Sequence, residues 1–148
     1  MPVDLTVDVG IIMSGSTLGA LEHSEASLNL LKAIEARSGW ALAMDTKGRI
    51  RHQYEEKIKH GFGKDWLRRL ATTNRILFIK CQNVDKGTRT ALKEAHFDTE
   101  DFKYVDTAAS TSSKKLVSHD PDYSPKVRKA LKRISVSVLS AAEGLQID

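Results

Sequence analysis

Residues 115–125 read Lys115-Leu116-Val117-Ser118-His119-Asp120-Pro121-Asp122-Tyr123-Ser124-Pro125. A short apolar strand runs into two aspartates, and a serine followed by proline then opens a helix, the pairing of an N-cap with a pre-set first helical residue. The same order of strand and acid stands at the other end of the chain in Val3-Asp4-Leu5-Thr6-Val7-Asp8. Working outward, Trp40–Met44, Arg75–Lys80 and Val136–Leu139 predict three more strands, rich in apolar and β-branched residues. Helical spacing fills the intervals. Leu18 to Ala36 carries apolar residues at 18, 21, 28, 31 and 34, enough for one or two helices. Ile50, Tyr54 and Ile58 mark a helix after the turn residues 45–48, and Trp66, Leu67 and Leu70 mark a short one after Gly63. Thr88–Ala95 is weakly helical, Asp98 caps a helix reaching about Ser110, and Val127, Leu131 and Ile134 form the apolar face of the helix begun at Ser124. The last few residues are expected to fray. This alternation predicts an α/β fold: a single three-layer α/β/α domain spanning residues 1–148, with a mostly parallel sheet of about five strands and no linker.

Composition narrows the class. The 148 residues suffice for one core, and 41% hydrophobic with 28% charged residues is the balance of a water-soluble globular chain. No apolar run reaches the ~18 residues of a membrane span, and Met1-Pro2-Val3-Asp4 lacks the basic-then-apolar layout of a secretory signal. The one cysteine, Cys81, allows no internal disulfide, so a reducing cytoplasm is the expected location and a packing role at a strand end the expected use. A net charge of +4 leans toward a polyanionic partner. The positive residues gather at Lys126, Arg128, Lys129, Lys132 and Arg133, with smaller groups at Lys114-Lys115 and Arg49/Arg51. The histidines have no ligand-like spacing, which argues against zinc. Ser14-Gly15-Ser16-Thr17 lacks the layout of a nucleotide-binding loop, although its hydroxyls could touch a nucleic-acid phosphate.

In a parallel sheet, ligands bind beyond the carboxyl ends of the strands. Asp8 ends the first strand, and Asp120 and Asp122 follow the fourth. Asp101 stands in the first turn of the preceding helix, about 60° to the side of the Phe102/Val105/Ala109 stripe. Acids converging from distant positions suit a hard, oxygen-seeking cation such as Mg²⁺ or Mn²⁺. Each also has a plain structural use: Asp101 as part of a cap, Asp120 and Asp122 as turn residues around Pro121. Asp8 is harder to explain so, because an unpaired acid ending an apolar strand costs solvation.

The two acid-bearing segments, Glu100-Asp101-Phe102-Lys103-Tyr104-Val105-Asp106-Thr107-Ala108 and Lys115 to Tyr123, resemble the C-terminal signature of PIN domains. In that signature an acid opens a helix and the next strand ends in Ser/Thr-x-Asp-x-Asp-aromatic. The interval of 19 residues from Asp101 to Asp120 suits it, and Val7-Asp8-Val9-Gly10-Ile11-Ile12 is similar to the family's opening. The resemblance implies a metal-dependent endoribonuclease using Mg²⁺ or Mn²⁺. Asp8, Asp101 and Asp120 would be its catalytic metal ligands, with Asp122 in support and metal-bound hydroxide as the attacking group. It places RNA against Lys126, Lys129, Ser14 and Ser118, and allows a toxin, defence or RNA-processing role, an antitoxin or other protein partner, and a homodimer. Two departures stand out. Val9 and Gly10 replace the usual Thr and Asn, and Gln53 stands where the family places a glutamate, with neither Glu55 nor Glu56 on a face that could substitute.

Two other readings follow from the same residues. One is a catalytically reduced PIN-like module that binds RNA or a protein; it predicts salt-sensitive RNA affinity without cleavage. The other is a different doubly wound domain that binds a small ligand or phosphate, with the acids serving as caps and turns.

Overall fold

The computed structural model describes residues 3–16 and 23–148. Five strands, β1 (Val3–Val7), β2 (Trp40–Asp45), β3 (Ile76–Ile79), β4 (Lys115–Val117) and β5 (Ser137–Leu139), form one sheet in the order β3-β2-β1-β4-β5. Every pairing is parallel. The strands are those expected from the sequence, with bounds shifted by a residue or so: β1 stops at Val7, β2 extends to Asp45, β3 spans Ile76–Ile79, β4 stops at Val117 and β5 starts at Ser137. The helices are α1 (Val9–Ser16), α2 (Ser24–Ala36), α3 (Arg49–Lys57), α4 (Phe62–Thr72), α5 (Lys86–Glu94), α6 (Phe102–Ser110), α7 (Pro125–Lys132) and α8 (Ala141–Gly144), with a 3-10 turn at Thr99–Asp101 leading into α6. The expected apolar positions 18 and 21 lie outside the described residues. No helix among the described residues is long and apolar enough to cross a membrane.

The chain moves outward from β1 in both directions. After β3 it returns to the other side of β1, so the order reverses between β1 and β4. That switch is where a parallel sheet opens a crevice at its carboxyl edge. β1 is buried along its whole length, even at Asp4 and Thr6. Asp4 is tolerated because its carboxylate accepts the Ser112 and Ser113 N–H groups at 3.0 and 2.9 Å, tying the loop before β4 to the central strand. The hydroxyl of Tyr54 on α3 donates to the carbonyl of Val7 at the other end of β1. One side chain closes the exit of α2. Arg75 donates to the carbonyls of Ile34 and Arg37 at 2.7 and 2.6 Å, groups that the end of a helix leaves without partners, and to that of Trp40 at the start of β2 at 2.6 Å.

Residues 9–16, for which the sequence predicts no element, form a helix directly after β1 in which Val9, Ile11 and Ile12 are buried. Two expectations are corrected. The chain end does not simply fray: Ser140 and Glu143 form a reciprocal capping box that starts α8. α6 has no single buried stripe, being enclosed from Phe102 to Ala108, Lys103 and Asp106 included. At the far edge β3 is only partly covered, with Leu77 43% and Phe78 54% exposed.

The packing of α4 on α1 leaves no room at Gly63. A methyl group there would lie 2.3 Å from Ser16 Oγ and 3.0 Å from Ile12 Cγ2. Gly63→Ala is therefore expected to lower stability by about 1–3 kcal/mol, read as a lower urea midpoint at unchanged slope.

Candidate acidic site at the mouth of the sheet

Asp8 follows β1 at the strand switch and is 8% exposed. Its Oδ2 accepts the Ser118 hydroxyl at 2.7 Å and its Oδ1 the Gly10 N–H at 3.3 Å. Ser118, just past β4, accepts the Asp120 N–H on the same oxygen at 3.0 Å. Asp120 Oδ1 accepts the Asp122 N–H at 2.9 Å, and Asp122 Oδ2 accepts the Asp98 N–H, also at 2.9 Å. One hydrogen-bonded chain thus joins the ends of β1 and β4 to the segment that enters α6, where Asp101 is half-buried.

The electrostatics show that the three expected acids sense one another. Burial is the main cause that raises Asp8 above the usual carboxylate range; Ser118 and Gly10 oppose it by hydrogen bonding, and the charge of Asp120 adds to it. Asp101 is pushed up to about 6, first by burial and then by repulsion from Asp8 and Asp120. The Lys103 ammonium partly offsets both shifts. Like charges held together this way favour a proton or a cation in their midst.

Two tyrosines overlooked in the sequence complete the mouth. Tyr104 is fully buried, accepts the Val9 N–H at 3.2 Å and donates to Gln53 Oε1. Tyr123 packs on Phe97, with ring centroids 5.1 Å apart, and its buried hydroxyl has no hydrogen-bond partner among the described residues. Burial, followed by the charges of Asp8 and Asp101, holds the Tyr123 phenol protonated well above its ordinary range. Their spacing carried a signal: each lies three residues after an expected acid, Asp101 or Asp120, and so can return to the same side.

The remaining candidates divide. Ser118 and Ser14 are not presented to an RNA strand. Ser118 is spent between Asp8 and Asp120, and the Ser14 hydroxyl is buried in α1. Thr17 lies outside the described residues. Asp122 accepts the Asp98 N–H and braces the loop that leads to α6. Lys126 and Lys129 are exposed beside Arg133 along a groove of about 290 Å³ between α7 and α5. Backbone N–H groups of Val9 and Gly10 take up the site contacts for which no side chain is present, and a Cβ built on Gly10 meets nothing within 4 Å. His119 turns to α8, where its Nε2 accepts the Ala141 N–H at 3.0 Å. Cys81 packs with Sγ on the Thr107 hydroxyl and the Ile79 carbonyl.

The donor set is all oxygen, which suits Mg²⁺ or Mn²⁺. Among the described residues, however, no three His, Cys, Asp or Glu side chains stand close enough to hold an ion between them. Small hard cations are commonly bound through one or two carboxylates and retained waters, so these residues fit as ligands of that looser kind. The unpartnered Tyr123 hydroxyl fits the same picture, since a retained water would satisfy it.

The fold and site together define an α/β domain with a carboxylate-lined mouth at its strand switch. No protein-family model matches the chain, and no curated protein matches it. Among solved structures, VapBC2 from Rickettsia felis bound to a DNA fragment from their promoter covers 93% of this chain and 98% of that one. The identity is 11% and the TM-score 0.46, a level of likeness that carries no functional argument.

Because Asp101 binds its proton more tightly when folded than the unfolded value of about 3.9, its ionisation costs the fold stability progressively as pH rises from about 4 to about 6. Asp101→Asn should therefore gain on the wild type over that window in metal-free urea titrations. In an NMR titration, Asp8→Asn should bring the Asp101 carboxyl downward; an unmoved value would mean that the two acids do not interact.

Proposed function

We propose that this chain is a PIN-like endoribonuclease that uses a divalent metal ion, Mg²⁺ or Mn²⁺, at the acidic mouth. The observation that supports it best is that the charges of Asp8 and Asp120 act on Asp101 at the strand switch, where the buried Tyr123 hydroxyl has no partner among the described residues. Three carboxylates from separate elements that repel one another, beside an orphaned donor, form an arrangement that a bound cation and its waters would relieve. Asp8, Asp101 and Asp120 are the acids from which the metal's one or two carboxylate ligands would come, with retained waters in the other positions. When bound, the ion lowers the pKa of water and neutralises charge on a phosphodiester.

The chain's own residues supply the rest. Ser118 fixes the orientation of Asp8 across the strand ends and, by accepting the Asp120 N–H, holds the turn after β4. Tyr104 locks Gln53 to the start of α1. The Tyr123 hydroxyl donates to whatever oxygen occupies the mouth. Exposed Lys126 and Lys129, on the groove between α5 and α7, would lie along the RNA backbone. Cytoplasmic work beside a protein partner of the antitoxin type, or as a homodimer, accords with the PIN resemblance.

A labelled single-stranded RNA incubated with Mn²⁺, Mg²⁺ or EDTA tests the reading. Cleavage should require metal and fall by at least about 100-fold in Asp8→Asn and in Asp120→Asn, in line with the loss of electrostatic groups at other active sites. Tyr123→Phe should keep the fold and lose about tenfold in rate, the usual size for one hydrogen bond to a charged reacting group. Intact RNA under every condition, with all proteins folded, would sink the nuclease and leave the binding module.

A further inference from the structure

Beside the mouth lies a cleft of about 390 Å³ between α3, α5 and α6, lined by Arg49, Gln53, Arg89, Phe102 and Lys103, with Glu56 and Glu100 also present. We propose that this cleft is a phosphate subsite for the RNA strand, receiving a phosphodiester next to the one held at the acids. The proposal rests on the ribonuclease reading for the identity of the polyanion.

Its two guanidinium groups are anchored from below. Asp106 is 1% exposed; its carboxylate accepts Arg89 Nη1 at 3.4 Å and lies 4.0 Å from Arg49 Nη1. Buried Asp45 accepts Arg49 Nε at 3.1 Å. The Arg89 guanidinium also lies over the Phe102 ring, 4.6 Å from its centroid. These contacts use one side of each planar fork. Arg49 Nη2 and Arg89 Nε and Nη2 make no hydrogen bond among the described residues, while the two side chains remain 39% and 30% exposed. A fork pinned on one side and open on the other is pre-organised for a phosphate, losing little side-chain freedom on binding.

Lys103 joins the cleft to the mouth. Only 9% exposed, it lines the cleft, while its charge also acts on Asp8 and Asp101. Gln53 then acquires a purpose. Its carbonyl is taken by the Tyr104 hydroxyl, so the amide N–H groups are its remaining hydrogen-bonding capacity. A glutamate at 53 would set a negative charge among these cations and repel a phosphate. Glu56 is engaged with His52 at 3.6 Å and Lys57 at 3.9 Å, and Glu100 is exposed on the 3-10 turn, so the acids of the cleft sit toward its rim.

The test is equilibrium binding of a short fluorescein-labelled single-stranded RNA in EDTA, where no cleavage intervenes, across a salt series. Arg89→Gln, Lys103→Met and Gln53→Glu should each weaken binding about tenfold, the worth of one charge-assisted contact. Removing either cation should also flatten the dependence of log K on log salt by about 0.7. Arg68→Gln, on exposed α4, should change nothing. Arg89→Gln leaves Asp106 short of a partner and risks the fold, but Gln53→Glu keeps both anchors and the Tyr104 bond. Folded Gln53→Glu and Lys103→Met proteins that bind as tightly as wild type would overturn the subsite, as would a wild type with no RNA affinity. Weakened variants with no cleavage by wild type would remove the nuclease and leave the subsite standing; cleavage with unchanged variant affinities would do the reverse.

Discussion

The hydrogen bond from Ser118 to Asp8 closes the strand switch on which the site depends. The parallel ladder of β1 and β4 runs to Val7 and Val117, and the Asp8 N–H donates to the Val117 carbonyl at 3.0 Å, so the backbone brings Asp8 beside Ser118. Asp8 must be buried for the mouth to form, and a buried carboxylate is costly unless hydrogen-bonded. Ser118 meets that need and passes the constraint to Asp120 through its N–H. The Asp120–Asp122–Asp98 links extend it to the entrance of α6, which carries Asp101. The backbone ladder and this continuous chain of side-chain bonds together place the strand ends and the entrance of α6 at the mouth.

Much of the fold was legible in the sequence because its signals are local. Strand residues in β1 to β5 show apolar and β-branched runs, Ser124-Pro125 announces α7, and Asp98 caps the turn before α6 as expected. α1 was hidden because its start, Val9-Gly10, carries no capping residue and its small residues Ser14, Gly15 and Ser16 look like a loop. Its helicity comes from packing on α2, α3 and α4, which no local pattern records. The capping box of α8 was present in the sequence as Ser140 and Glu143, but only four residues of helix follow it.

The acids could be singled out because strand-end position is itself a chemical statement in a parallel sheet. Their supporting groups could not, because each support is long-range. Ser118 reaches Asp8 across 110 residues, and Tyr104 reaches Val9 across 95. Ser118 and Ser14 were expected at the surface from polarity alone, whereas tertiary packing turned both inward. Asp106 carries no local signal of its role, because the enclosure of α6 and the two arginines it anchors come from distant parts of the chain.

The uncovered β3 edge has a bearing on how the chain behaves in a crowded solution. Its outer backbone groups are unpaired, and Leu77 and Phe78 project to opposite faces with little cover. Such an edge is a template onto which another extended chain can add. Brevity is the protection visible here: four residues of strand end at charged, exposed Lys80. Lys80 thus stands as a gatekeeper at the rim of the sheet farthest from β5, where a change to an apolar residue would lengthen the sticky segment without touching the acids.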